Sequence, residues 1–238
     1  MNKIRKIVYV KLTPERNEIV YTGITFAEFF KYLRQPIENL MTIMGDTFVF
    51  GLKYERIFEL FEGQELVKEL TEADVYNLGN FCFVDYVSPG RTEELTEGQM
   101  AELLYLGNMF KPLESPFFEV LQNRFAYVSH DDGWYCKLFC RNIEEFVSVL
   151  CGKIIANVDS ALCKTMDSIG KELLLLATEG ILIDLDELSC KKGNIDGEVY
   201  VIGEIFDIDA TLNNLRETKE NASRVCILHG DGNGWNIT

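Results

Sequence analysis

Residues 124–139 read RFAYVSHDDGWYCKLF, and this stretch decides the fold class. The pair Asp132-Gly133 separates two apolar runs that are rich in aromatic side chains. Asp-Gly between such runs is a strong signal for a two-residue hairpin turn, because both central positions of that turn need a positive φ. The sequence therefore predicts that 125–128 and 135–139 are antiparallel strands.

A second stretch, at residues 223–235, repeats this order of residue types. It reads SRVCILHGDGNGW, where an apolar run again ends in a histidine and is followed by Asp, Gly and Trp. The two stretches together hold both histidines and both tryptophans of the chain. In the first stretch, a two-residue turn places His130 opposite Tyr135. In the second stretch, the glycines predict a tight turn, since glycine adopts left-handed conformations at low cost.

Two short patterns predict where helices begin. Thr25 precedes Glu28 by three residues, and Thr96 precedes Gln99 by the same spacing. This is the capping-box pattern, in which the threonine side chain and the later side chain each accept the other residue's backbone N–H. A helix is therefore predicted after each threonine, and a second short helix is predicted to follow the first as far as Met44.

Longer apolar patterns predict two core helices, over 143–157 and 160–177. Their apolar residues recur at helical spacing, which places Leu150 and Leu173 on the buried stripes. Farther along the chain, Asp209 is predicted to open a shorter helix. We expect the two longer helices to form part of the main core.

The order of these elements predicts an α+β fold. Strands are predicted at 4–12, 18–21, 81–87, 181–185, 198–206 and 224–228. Strand pairs are mixed with helices and do not alternate strictly with them. This order favours a mixed or antiparallel sheet, or sheets, with hairpins packed by several amphipathic helices. We expect one α+β domain over 1–238, with KPLESP at 111–116 as the point where it could subdivide.

Acidic residues dominate the charge of the chain. Asp and Glu number 38 against 23 Lys and Arg, which gives a formal net charge of −15. Such a field repels the phosphates of nucleic acids and anionic lipids, and it attracts basic surfaces. The acids are concentrated in 55–74 and 184–209, although a solvated face that aids solubility is the alternative interpretation of either run. The side chains predicted to bind a partner are Glu55, Glu59, Glu62, Glu65, Glu69, Asp184, Asp186 and Glu187.

The apolar stretches predict a cytoplasmic protein that does not enter a membrane. The first apolar run, 7–10, has four residues, whereas a secretory signal needs about 7–15. The most apolar later stretch, 172–183, is interrupted by Thr178, Glu179 and Gly180. It therefore predicts core and not a membrane span of about 20 residues. The seven cysteines show no CxxC spacing, so we expect reduced thiols and no cofactor.

Each of the two histidine-containing stretches also includes the form His-x-Asp. On an extended strand, residues i and i+2 lie on one face about 6–7 Å apart, so an imidazole and a carboxylate can share a metal ion. The residues of this alternative site are His130, Asp132, His229 and Asp231. Such a site would serve a metal-dependent hydrolase or oxygenase. The turn interpretation competes with it, since Asp132 in a two-residue turn is not free to point at a metal ion.

Other catalytic patterns are missing from the sequence. It contains no GxSxG, GxGxxG or P-loop motif. Together with the charge, this predicts a non-catalytic interaction protein that binds a basic protein partner through an acidic surface. We expect no direct contact with nucleic acid. An immunity protein or antitoxin against a basic toxin, or a mimic of nucleic-acid charge, would be of this kind.

Overall fold

The computed structural model describes residues 6–43, 58–65, 67–68, 81–130, 135–158, 167–191, 194–231 and 234–238. Its contacts divide the chain into two compact units. The first unit comprises Met1–Glu15, Ile19–Ile24 and Glu144–Thr238, and the second unit comprises Arg16–Glu18 and Thr25–Ile143. The predicted break at 111–116 lies within the second unit, and whether the two units form one domain stays a prediction.

Antiparallel strands and α-helices together make the fold α+β, as the sequence predicts. The strands of the described residues are β1 (Ile7–Thr13), β2 (Glu18–Thr22), β3 (Asn39–Ile43), β4 (Phe58–Glu62), β5 (Phe81–Tyr86), β6 (Phe125–His130), β7 (Tyr135–Cys140), β8 (Ile181–Asp184), β9 (Ser189–Lys191), β10 (Asn194–Val201), β11 (Arg224–Asp231) and β12 (Gly234–Ile237). The α-helices of the same described residues are α1 (Phe26–Tyr32), α2 (Glu97–Met109), α3 (Glu144–Ala156), α4 (Asp167–Ala177), α5 (Ile208–Asn213) and α6 (Leu215–Glu220).

The sheet of the second unit has the strand order β7-β6-β5-β3-β4, with antiparallel neighbours. On one face, α1 places Phe26 against Phe83 and Tyr127, with ring centroids 5.6 and 5.5 Å apart. On the other face, Leu103 and Leu106 of α2 belong to a buried cluster with side chains of β3, β5 and β6. Apolar side chains therefore lie against both faces of this sheet.

A buried carboxylate fixes the start of β6. Asp85 Oδ1 accepts the backbone N–H of Arg124 at 2.9 Å and that of Phe125 at 2.7 Å. The Arg124 guanidinium lies 3.3 Å from Asp85 Oδ2 and donates to the Pro36 carbonyl at 3.1 Å. Burial raises the pKa of Asp85 to about 6, although these hydrogen bonds and the Arg124 charge oppose the shift.

The sheet of the first unit has the strand order β12-β11-β10-β8-β1-β2, and β9 pairs with the start of β10. Leu182 of β8 and Tyr200 of β10 form a buried cluster with Leu215 of α6. Leu150 of α3 and Leu173 of α4 are fully buried. The helical spacing of apolar residues therefore identified these two leucines correctly as buried.

The two units share an order of elements. In the second unit α1 precedes β3, β4 and β5, and α2 then precedes the hairpin β6-β7. In the first unit α4 precedes β8, β9 and β10, and α5 and α6 then precede the hairpin β11-β12. The corresponding strands lie side by side in the same orders, β3-β5-β6-β7 and β8-β10-β11-β12. The two similar stretches of sequence therefore form the corresponding hairpins of two similar arrangements.

The strands of the predicted hairpin are confirmed, and so is their register. His130 lies opposite Tyr135, as a two-residue turn requires. In the second hairpin, Asp231 lies opposite Gly234. Residues 131–134, and with them the Asp-Gly turn itself, lie outside the described residues.

Both predicted capping boxes are confirmed, and α1 and α2 follow them, but the second short helix predicted to run to Met44 is wrong. The Thr25 side chain accepts the Glu28 N–H at 3.2 Å, and the Glu28 carboxylate accepts the Thr25 N–H at 2.9 Å. The threonine before α2 has the same arrangement. The segment that precedes Met44 forms β3, which is buried along its length and pairs with β4 and β5. Pairing with two neighbours outweighs a weak local preference for helix.

Two predicted boundaries in the first unit also differ from the observed ones. The helix predicted to open at Asp209 begins earlier, because Asp207 supplies the N-cap and its carboxylate accepts the Ala210 N–H at 2.8 Å. The strand predicted over 198–206 ends with β10, and the chain then passes through Gly203, whose φ is +84°. This φ lies in the left-handed region, which a strand does not use.

Candidate interaction surface

The predicted acidic side chains of the second unit lie on and just after β4. Glu59 is half-buried, whereas Glu62 and Glu65 are exposed. The Glu62 carboxylate accepts a hydrogen bond from the Tyr86 hydroxyl at 3.4 Å. Burial and the neighbouring Glu62 raise the pKa of Tyr86 above its usual range. The other predicted residues of this segment, Glu55 and Glu69, lie outside the described residues.

Asp184, by contrast, lies inside the first unit and not on its surface. Its side chain is 2 % exposed, and its Oδ2 lies 2.7 Å from Lys219 Nζ. The same ammonium lies 2.6 Å from Oε2 of Glu187, whose side chain is half exposed. A buried carboxylate is tolerated when it is paired and hydrogen-bonded. Asp184 and Lys219 therefore form a structural pair, and the exposed acids of this turn are Asp186 and Glu187.

The Tyr200 side chain contacts both Lys219 of this ion pair and Glu198 of β10. The Lys219 ammonium lies 5.1 Å from the centroid of the Tyr200 ring, which is within cation–π range. The Tyr200 hydroxyl donates a hydrogen bond to the Glu198 carboxylate. Burial, followed by the Glu198 carboxylate, raises the pKa of Tyr200 above its usual range.

One side of β10 and β11 forms a surface that we call the outer face. Its residues lie opposite each other in three cross-strand pairs, which are Asp196 with His229, Glu198 with Ile227, and Tyr200 with Val225, and Tyr200 is buried next to α6. Opposite residues of an antiparallel pair project from the same face of the sheet. Val225 is 45 % exposed and Ile227 is 44 % exposed. The outer face therefore combines exposed apolar side chains with carboxylates.

At one end of the outer face, a serine, an aspartate and a histidine lie in a row across three strands. Ser189 lies opposite Asp196, which in turn lies opposite His229. His229 Nδ1 lies 2.5 Å from Asp196 Oδ1. Ser189 and His229 are two strand spacings apart, about 9–10 Å, whereas a histidine base must lie about 2.6–3.2 Å from its nucleophile. Asp196 and His229 therefore form a cross-strand pair, and Ser189 lies too far from His229 to be its nucleophile.

The four residues of the alternative metal site lie in different parts of the chain. His130 belongs to β6 of the second unit, and His229 belongs to β11 of the first. Asp132 lies outside the described residues, and Asp231 ends β11. Within the part of the chain that the structure describes, no group of three or more His, Cys, Asp or Glu residues is arranged to hold a metal ion.

Comparisons with protein-family models, with curated proteins and with solved structures return no match. Among the helices in the described ranges, none is long and apolar enough to cross a membrane.

Proposed function

We propose that this chain is a non-catalytic interaction protein, and that it binds a basic protein partner through the acidic surface of its first unit. The observation that carries the proposal is the composition of the outer face. There the exposed side chains of Val225 and Ile227 lie beside the carboxylates of Asp196 and Glu198. An immunity protein, an antitoxin or a mimic of nucleic-acid charge would use such a surface.

The apolar part of the outer face supports a protein partner. Protein interfaces combine a desolvated apolar centre with a polar rim. Two neighbouring β-branched side chains that are nearly half exposed supply such a centre. Direct binding of nucleic acid would instead need basic side chains to neutralise phosphates, and the net charge of −15 opposes it.

The charge supports a basic partner in particular. Asp186 and Glu187 are exposed near the turn that follows β8, and Glu198 lies on the outer face. A surface of one sign attracts the opposite sign over a distance comparable to the Debye length, about 10 Å at 0.1 M salt. Such attraction raises the association rate more than it lowers the dissociation rate.

The experiment compares the loss of an exposed apolar side chain from the outer face with the loss of an equally exposed apolar side chain from the second unit. A basic protein retained by the tagged chain is purified, and its binding is measured by surface plasmon resonance. Ile227→Ser should speed dissociation about tenfold, which corresponds to a loss of about 1.4 kcal/mol of binding free energy at the centre of the interface. Leu60→Ser is the control, because Leu60 is 43 % exposed on β4 of the second unit. Equal effects of the two variants would contradict the proposal.

A second pair of variants tests the charge. Glu198→Gln should slow association about twofold at low salt and leave dissociation nearly unchanged. Glu114→Gln is the matched control, since Glu114 is exposed in the second unit. The proposal is wrong if the retained protein is acidic, or if Glu198→Gln and Glu114→Gln associate at the same rate.

A further inference from the structure

A groove of about 480 Å³ lies beside the loop that follows β10 and is closed on its other side by α5 and α6. Its apolar lining includes Ile202, Ile205 and Phe206. Phe206 is 93 % exposed. An aromatic side chain that is almost entirely in water, at the edge of a groove, is a typical anchor for a partner.

A buried tyrosine holds this loop in place. The Tyr9 side chain is 1 % exposed. Its hydroxyl donates to the Gly203 carbonyl at 2.9 Å and accepts the Ile205 N–H at 3.2 Å. The two hydrogen bonds fix the backbone on both sides of residue 204, just before Phe206. The buried Tyr9 side chain therefore holds in place the loop backbone that leads to Phe206.

The backbone of Gly180 secures the same loop. Its carbonyl accepts the Ile202 N–H at 2.9 Å and the Gly203 N–H at 3.3 Å. A Cβ on Gly180 would lie 2.1 Å from the Gly203 carbonyl oxygen, so only glycine allows this approach. The loop wall of the groove is therefore built before any partner arrives, which reduces the entropic cost of binding.

Hydrogen bonds also fix the helical wall. The Asp207 carboxylate caps α5 through the Ala210 N–H. The Thr211 hydroxyl donates to the Asp207 carbonyl at 2.7 Å. The Thr218 hydroxyl of α6 donates to the Thr211 carbonyl at 3.1 Å, which ties the two helices together.

The charges of the groove are all of one sign. The charged residues that line it are Glu204, Asp207 and Glu217. Carboxylates beside an exposed aromatic ring match an ammonium or guanidinium on an apolar stem, because the cation gains both ion pairing and a cation–π contact. A second copy of this chain is a poor occupant, since two molecules of net charge −15 repel each other.

We propose that this groove receives a segment of a protein partner in which a Lys or Arg stands next to an apolar side chain. The inference builds on the proposed function, because it assigns a docking position for the basic partner. Phe206 contacts both the apolar side chain and the cation, and Glu204 and Glu217 attract the cation by its charge. Because hydrogen bonds hold both walls of the groove in place, the partner segment binds in one defined position.

The test uses short synthetic peptides as probes and NMR of the full chain labelled with ¹⁵N. The peptide acetyl-GKLKG-amide should shift the amide signals of Phe206, Thr211 and Thr218. The peptide acetyl-GKGKG-amide, which lacks the apolar side chain, should bind about tenfold more weakly. The peptide acetyl-GELEG-amide should leave these signals unchanged.

Three variants test whether the peptide binds in the groove. Phe206→Ala and Glu217→Lys should each weaken binding of acetyl-GKLKG-amide about tenfold. Glu114→Lys makes the same change in net charge in the second unit and should leave the affinity within about twofold, since only long-range attraction is altered. If Phe206→Ala binds as tightly as the native chain, the groove proposal is wrong.

The outcomes also separate this inference from the proposed function. If acetyl-GKLKG-amide shifts the signals of the outer face and not those of the groove, the groove proposal fails while the proposed function stands. If neither basic peptide shifts any signal of the first unit, the groove proposal fails. The proposed function then fails as well if binding of the protein partner does not depend on salt.

Discussion

Replacing Lys219 by methionine should cost about 3 kcal/mol of unfolding free energy. Met keeps most of the apolar stem of the lysine and removes the ammonium that lies 2.7 Å from Asp184. Removing one partner of a buried ion pair typically costs about 3–5 kcal/mol, because the remaining charge stays buried. The lower end applies here, since the Lys219 side chain is 11 % exposed and Asp184 still accepts the Asp186 N–H at 3.1 Å.

A matched control is provided by Lys171, whose ammonium lies 3.1 Å from the Glu144 carboxylate. These two side chains are 68 % and 65 % exposed, and an exposed pair contributes at most about 1 kcal/mol. Lys171→Met should therefore have a much smaller effect than Lys219→Met. Urea unfolding followed by circular dichroism measures the unfolding free energy of both variants. The two values are compared only if the unfolding free energy falls with urea concentration at the same slope in both variants. If the two variants differ by less than about 0.5 kcal/mol, the view that Asp184 lies inside the unit is wrong.

Four further predictions concern other parts of the chain. Tyr9→Phe should lower the free energy of unfolding by about 1–3 kcal/mol in thermal or urea unfolding, because the Gly203 carbonyl and the Ile205 N–H lose their common partner. A change below about 0.3 kcal/mol would contradict the role of the Tyr9 hydroxyl. Leu150→Ala or Leu173→Ala should cost about 2–5 kcal/mol, since both leucines are fully buried, and a smaller cost would count against the prediction that amphipathic helices pack the sheet. A ¹³C titration should give Asp85 a pKa of about 6. Because this pKa is raised above its unfolded value, the stability that Asp85 contributes is present below about pH 4 and is lost as the pH rises through 6; a value at or below 4 would refute the dominance of burial. Elemental analysis should find no stoichiometric zinc or iron, and about one equivalent that disappears in His229→Ala would favour the alternative metal site.

Local patterns in the sequence predicted much of the fold. A capping box depends on two residues three positions apart, so Thr25 and Glu28 can be identified without any knowledge of the sheet. A two-residue hairpin likewise fixes its own register, and the predicted pairing of His130 with Tyr135 is found. Helical spacing identified Leu150 as buried for the same reason, because the period of an α-helix is a local property.

Features that depend on distant residues were missed. The strand β3 was predicted as a helix, since its burial depends on β5, which lies about forty residues farther along the chain. The pairing of His229 with Asp196 depends on the register between β10 and β11. Asp184 was predicted as a binding residue because it lies in an acidic segment, and its pairing with Lys219 involves a helix 35 positions away. Charge counts identify an acidic segment, but they do not show which of its side chains are exposed.

The salt dependence of association tests the central claim most directly. The association rate of the chain with its purified basic partner is measured as ionic strength rises from 0.01 to 0.1 M, where the screening length falls from about 30 to about 10 Å. An acidic surface that attracts its partner predicts a rate that falls at least about tenfold over this range, and a smaller fall in a variant with Asp186 and Glu198 changed to lysine. A rate that is independent of salt in both proteins would contradict the claim.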